Sequence, residues 1–167
     1  MELHRLLEKK KPTILNEWLT EIFNTYSANT ATFLKDEGDV FANPIGHTIT
    51  TNAEHILDGL IKGEDGDELS VYIEQIIRIR AVQHFTPVQA VSFINNLKTV
   101  ILDQLRPEIS RHSLWDEWEE LQADMDNLAV LAYGIYTKIQ ERIEHIRAKE
   151  IENNERFLMK LMGNRTP

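Results

Sequence analysis

The stretch IRAVQHFTPVQAV, at residues 79–91, joins two predicted helices. Within it, Thr86 and Gln89 have the spacing of a capping box, in which two side chains bond each other's backbone N–H groups at a helix start. Pro87 follows the cap at the first helical position, where its missing N–H costs nothing. The stretch therefore predicts that one helix ends near Phe85 and that a second begins at Pro87.

The first of these helices carries an arginine on its apolar face. Arg80 continues a stripe of helical spacing that includes Leu69, Ile73, Ile76 and Gln83. A buried guanidinium is costly unless carboxylate or carbonyl oxygens pair with it. In one interpretation, Arg80 ties carbonyl oxygens together near the junction. In the other, Arg80 and Gln83 bind a small anion or an acidic group of a partner, which makes them the candidate ligand-binding residues.

Helical spacing of apolar residues recurs along most of the chain, and no segment alternates convincingly with the period of a strand. Pro12 predicts the start of a second helix, after a short first helix over residues 3–10. The change to Asn, Thr, Asp and Gly over residues 27–42 predicts the longest loop. The sequence therefore predicts an all-α fold in one domain over residues 1–167.

Capping residues predict the boundaries of the next helix. Asn43 with Pro44 is typical of a helix start, and Gly63 is typical of a helix end. A turn follows, for which Glu64 or Asp67 is the predicted cap of the helix that leads to Arg80.

The longest predicted helix follows Pro107, which we expect to end the helix before it. The sequence SLWD at residues 113–116 predicts the cap, and no proline follows until Pro167. A helix of roughly 45–50 residues is about 70 Å long, which exceeds the width of a domain of this size. We therefore predict a helical-bundle body over residues 1–135 and an extended signalling or dimerisation helix over residues 136–163.

Apolar residues of the last helix recur in steps of three and four and form a seam. This spacing is typical of helices that pair. We expect the first half of the seam to pack against the body, and residues 139–161 to pair with a second copy or another protein. Glu150 and Asn153 interrupt the seam and would weaken it or set its register. The candidate interface residues are Ile139, Ile143, Ile146, Phe157 and Leu161.

The composition of the chain disfavours several classes of binding partner and of chemistry. The formal net charge of −9 disfavours a nucleic-acid partner, because phosphate binding needs clustered lysines and arginines. The chain has no cysteine, which excludes disulfides, thiolate catalysis and cysteine-based metal sites. No apolar run approaches the roughly 18 residues of a membrane span, and the N-terminal residues lack the apolar core of a signal peptide. We therefore expect a cytoplasmic protein without membrane insertion.

Motifs for catalysis and for cofactors are missing. None of the six histidines forms a Glu-x-x-His or His-Glu-x-x-His pair. The chain also lacks a phosphate-binding glycine loop and a nucleophile elbow. We therefore expect no enzymatic activity, no metal and no cofactor. A haem-binding protein remains an alternative. It would need a proximal histidine, and the helix after the junction has none over residues 86–105, although His84 stands just before it.

Residues 79–90, with Leu97 and Lys98, resemble the pattern of the RsbRD-type N-terminal domain, the sensor half of RsbT co-antagonist proteins. The resemblance implies an all-α, globin-like domain that does not bind haem. It also implies a dimer whose last helices carry a signal into a C-terminal STAS domain, within the stressosome that controls a stress response. Further matching positions are Ile14, Leu15, Trp18, Phe41, Asn43, Pro44, Tyr136, Arg142, Arg147 and Glu150.

The family's STAS domain would begin where this chain ends, at Pro167. We therefore expect a stand-alone sensor that acts through another protein, or a domain whose output lies elsewhere. The predicted function is a non-enzymatic sensory or regulatory domain that signals through its C-terminal helix, as a homodimer or with a regulatory protein partner. The alternatives are a structural adaptor for a protein complex, bound through the final helix, and a haem-binding globin-like protein.

Overall fold

The computed structural model describes residues 2–36, 38 and 41–164. The described residues form six α-helices and no strand, which confirms the all-α prediction. The helices are α1 (Glu2–Phe23), α2 (Ala28–Leu34), α3 (Pro44–Lys62), α4 (Gly66–Val82), α5 (Pro87–His112) and α6 (Trp115–Gly163).

The five longer helices pack in a closed ring around one apolar core. Helix α3 lies against α1 and α4, α6 lies against α4 and α5, and α5 lies against α1. The short α2 packs on α3, and α4 also contacts α5. The α4–α5 junction therefore lies where α4, α5 and α6 all meet.

Helix α1 runs through Pro12, so the prediction of two helices was wrong. Leu3 and Leu7 before the proline, and Ile14 and Trp18 after it, are all fully buried. An interior proline costs about 3 kcal/mol, whereas each buried apolar side chain contributes about 2 kcal/mol. Burial on both sides of Pro12 therefore outweighs the lost hydrogen bond and keeps the helix continuous.

The same reasoning corrects the predicted end of α5 at Pro107. The helix continues to His112, because Leu105 and Ile109 on either side of Pro107 are fully buried.

The predicted cap of α6 was also wrong. Ser113 adopts φ 55° and ends α5, and Leu114 takes the cap position without a side-chain hydrogen bond. Leu114 is buried, and its N–H donates to the Ile109 carbonyl at 2.9 Å. The start of α6 is instead bound to α1, because the Glu117 carboxylate accepts a hydrogen bond from the Leu3 N–H at 2.9 Å.

The region predicted as a long loop contains α2. The Ser27 side chain caps this helix by accepting from the Thr30 N–H, and Ala31 and Leu34 are buried. The cap of α4 is Asp65, which forms a complete capping box with Glu68, rather than Glu64 or Asp67. Glu64 is unsuited to that role, because its N–H is bound to the Gly59 carbonyl within the end of α3. The predicted end of α3 at Gly63 is confirmed, with φ 76°.

Asn43 connects the end of α2 to the start of α3, and the predicted cap with Pro44 is confirmed. Its side-chain oxygen accepts from the Gly46 N–H at 3.0 Å. Its amide nitrogen donates to carbonyl oxygens of the α2 end, those of Phe33, Leu34 and Asp36, at 2.9–3.1 Å. The side chain is buried, so these carbonyls have no ready replacement from water.

Helix α6 has two distinct halves. Its first half contributes buried residues as far as Tyr136, whereas every residue from 144 to 164 is exposed. The prediction of a long final helix is confirmed, and the helix has 49 residues. Within the described parts of the chain, no helix combines the length and apolar character that a membrane span requires.

Asn43→Asp tests the double role of this side chain. Aspartate caps helices as well as asparagine does, but it cannot donate to the α2 carbonyls and would repel them. We expect Asn43→Asp to lower the free energy of unfolding by about 2 kcal/mol, at least as much as Asn43→Ala. Urea unfolding measures the change. The control is Asp65→Asn at the exposed cap of α4, where a change below about 0.5 kcal/mol is expected. Equal small effects of both substitutions would contradict the bridging role.

Candidate functional site

The α4–α5 junction has well-defined backbone geometry. The Phe85 N–H donates to the Arg80 carbonyl at 3.1 Å, and the His84 N–H donates to the Ala81 carbonyl at 3.2 Å. These are the two hydrogen bonds of a Schellman motif, and His84 takes its left-handed position with φ 63°. The capping box of Thr86 and Gln89 is present, as predicted. The backbone therefore holds Phe85 directly beside the last turn of α4.

Arg80 is fully buried, with 0% of its surface exposed. Its Nη1 donates to the Gln89 carbonyl at 3.1 Å, in the first turn of α5. Three aromatic rings surround the guanidinium carbon, at 4.9 Å for Phe85, 5.8 Å for Phe93 and 6.0 Å for Tyr26. The positive charge is therefore held mainly by aromatic faces.

The guanidinium has no acidic partner among the described residues. Its Nε and Nη2 atoms are buried, and no group in the described ranges forms a hydrogen bond with them. None of the described carboxylates forms an ion pair with it. Burial lowers the pKa of Arg80, because it disfavours the charged form. Arg80 is thus a buried cation with two unused donors, which is costly for a folded protein.

Tyr26 and Gln83 form the next layer around the guanidinium. The Tyr26 hydroxyl donates to Gln83 Oε1 at 2.8 Å, and the Tyr26 and Phe85 rings lie 5.4 Å apart. Burial raises the pKa of Tyr26, while the Arg80 charge and the hydrogen bond to Gln83 act in the opposite direction. The structure therefore brings the two predicted site residues together through Tyr26, which Gln83 holds against Arg80.

We call Tyr26, Arg80, Gln83, Phe85 and Phe93 the Arg80 cluster. Besides the bond from Arg80 to the Gln89 carbonyl, side chains of α1 and α6 each donate a hydrogen bond to a carbonyl of this cluster.

On one side, Trp18 Nε1 donates to the Phe93 carbonyl at 2.6 Å, and the two rings stack at 6.3 Å. On the other, the Tyr136 hydroxyl donates to the Phe85 carbonyl at 2.8 Å. Sequence reasoning did not place Tyr26, Phe93 or Tyr136 in this site. Tyr26 lies in the turn after α1, Phe93 lies on α5 and Tyr136 on α6, and no local spacing relates them to Arg80.

The candidate interface residues fall into two groups. Ile139 and Ile143 are half-buried and pack against the body. Ile146, Phe157 and Leu161 are 51%, 62% and 49% exposed. Other exposed apolar residues of this half are Ile151, Leu158, Met159 and Met162.

Outside the Arg80 cluster, the described surface has a cleft between two helices but no candidate metal site. A cleft of about 550 Å³ lies between α1 and α3, with Leu15, Asn16, His47 and Glu54 in its wall. Among the described residues, no group of three or more histidine, aspartate or glutamate side chains is placed to hold a metal ion. Lys98, which belongs to the matching pattern, forms an ion pair with Asp126 and so joins α5 to α6.

The fold and the site together define an all-α domain with a buried cationic cluster beside a long final helix. The family model described as the RsbT co-antagonist protein rsbRD N-terminal domain matches residues 12–151. The chain belongs to this family, which places it among the stressosome-related regulatory domains. No curated protein and no solved structure matches the chain. The matched range includes the whole Arg80 cluster and α6 as far as Ile151.

Arg80→Met tests whether the arginine is needed for stability. The substitution removes one hydrogen bond and the aromatic contacts, each worth about 1 kcal/mol. It also removes an unpaired buried charge, and apolar replacement of buried charges is often neutral or stabilising by about 1–4 kcal/mol. We therefore expect thermal and urea unfolding to show a change below about 1.5 kcal/mol.

Arg80→Ala is the comparison, because it leaves a cavity and should cost about 2–5 kcal/mol. If Arg80→Met destabilised the fold as much as Arg80→Ala, the arginine would instead be the structural tie between helix ends.

Proposed function

We propose that this chain is a non-enzymatic sensory or regulatory domain that signals through the projecting half of α6 in a stress or environmental response. One contact supports this proposal above all. Tyr136, the last buried residue of α6, donates a hydrogen bond to the carbonyl of Phe85, which is a member of the Arg80 cluster. The same helix thus contacts the buried cluster at one point and leaves the body a few residues later.

A continuous helix carries a displacement along its axis or about it. From Tyr136 to Leu161 the helix extends about 38 Å, at 1.5 Å per residue. A shift of Phe85 would move the acceptor of the Tyr136 hydroxyl and so change how this segment of α6 sits on the body. Helix shifts and rotations of this kind are a common form of regulatory transition.

The output of this domain is a pairing surface on α6. Ile146, Phe157 and Leu161 are apolar, exposed and on one seam, and a second copy would cover them by packing the same face of its own α6. Glu150 and Asn153 lie inside the seam and limit its stability, which suits a contact that must change with a signal. We therefore propose a cytoplasmic homodimer, with α6 also available to a regulatory protein.

Single charges on the seam test this pairing. Ile146→Glu and Leu161→Glu place carboxylates on the exposed seam, and the matched control Val130→Glu places one on α6 at an apolar residue off the seam that is 74% exposed. Sedimentation equilibrium measures the dimer dissociation constant. We expect the seam variants to weaken the dimer at least about tenfold, which corresponds to about 1.4 kcal/mol, with no change for Val130→Glu.

The melting temperature of the body serves as the folding control and should be the same in all four proteins. A natural chain that stays monomeric at micromolar concentration would contradict homodimerisation. That result would favour the alternative of an adaptor, whose exposed α6 residues bind a different protein.

A further inference from the structure

The two unpartnered atoms of Arg80 share one edge of the guanidinium. Nη1 donates to the Gln89 carbonyl, whereas Nε and Nη2 are buried and have no partner in the described part of the chain. The N–H bonds of Nε and Nη2 on this edge run parallel, and their spacing matches the two oxygens of a carboxylate. The two free donors can therefore bind both oxygens of one planar anion at the same time.

The side chains around this edge favour an anion with a single negative charge. The guanidinium is one positive charge, and the described residues near it are aromatic or amide rather than acidic or basic. A monoanion would neutralise this charge, whereas a phosphate dianion would bring an excess negative charge into an apolar site. The rings of Tyr26, Phe85 and Phe93 also favour a ligand with an apolar body over a fully hydrated ion.

The outer side chains that cover the guanidinium are themselves only partly buried. Arg80 is fully buried, but Tyr26, Gln83 and Phe85 are only half-buried and form the outer layer. A side-chain hydrogen bond from Tyr26 to Gln83 connects the turn after α1 to this junction. Displacement of Tyr26 or Phe85 would therefore open a path to the Nε/Nη2 edge without unfolding a helix.

We propose that the Nε/Nη2 edge of Arg80 binds a small monocarboxylic acid with an apolar body, beneath the rings of Tyr26 and Phe85. Full burial of Arg80 favours a free small acid over a side chain of a folded partner. The inference rests on the proposed function, because the bound acid would move Phe85, whose carbonyl holds Tyr136 of α6.

The first test uses the unsubstituted chain of 167 residues, with sodium propionate as the probe. In nitrogen-15 spectra, the Arg80 Nε–H signal is identified by its loss in Arg80→Lys. Propionate should shift this signal saturably, at constant pH and ionic strength, because the carboxylate accepts directly from Nε–H. Sodium chloride and sodium phosphate should shift it little. An unchanged signal throughout the propionate titration, or equal shifts with chloride, would overturn the carboxylate site.

The second test measures stability and includes a matched control. Propionate at ten times its dissociation constant should raise the ratio of folded to unfolded natural chain about tenfold. The same rise is expected for Arg78→Met, since Arg78 is exposed on the same helix and pairs only with Glu74 among the described carboxylates. Arg80→Met should show no rise. A rise that is equal in Arg80→Met would reveal a general salt effect and overturn the site.

The two proposals fail in different ways. A saturable shift of the Arg80 signal without any change in α6 pairing would contradict the proposed signalling and support the carboxylate site. A dimer that depends on the α6 seam, in a chain whose Arg80 signal never responds to propionate, would contradict the site and support the pairing.

Discussion

The structure depends on one unfavourable feature, a buried positive charge that no described carboxylate pairs with. Arg80 takes the place that an isoleucine would take on α4, and the fold accommodates it with aromatic rings and a single carbonyl oxygen. Because an unpaired charge in the interior is costly, the elements that pack on it gain less stability from that contact than they would from an apolar side chain of similar size. The elements concerned are the turn after α1 through Tyr26, α5 through Phe93, and α6 through the Phe85–Tyr136 hydrogen bond.

The position of Arg80 was predictable from the sequence, and its surroundings were not. Helical spacing alone placed Arg80 on the buried face of α4, and the Thr86–Gln89 capping box alone placed the junction. Tyr26 contacts the guanidinium from the turn after α1 and Phe93 contacts it from α5. Such contacts depend on how the helices pack rather than on any local pattern.

The errors in predicting helix boundaries have the same origin. Local rules predict a helix break at Pro12 and at Pro107, but the body buries apolar residues on both sides of each proline, and packing outweighs the local cost. Residues 27–42 looked like a loop because they are polar, yet Asn43 binds the end of a short helix there through carbonyls that no sequence pattern reveals. The long α6 was predicted well, because its apolar seam is local and regular.

The central claim is that the Arg80 cluster and the projecting half of α6 are coupled through Tyr136. Hydrogen exchange of the backbone amides tests it most directly, in the natural chain and in Tyr136→Phe, which removes only the hydroxyl that binds the Phe85 carbonyl. The account predicts faster exchange both at the α4–α5 junction and over residues 137–146 of α6, with α3 unchanged. Faster exchange at the junction alone, with residues 137–146 as in the natural chain, would contradict the coupling.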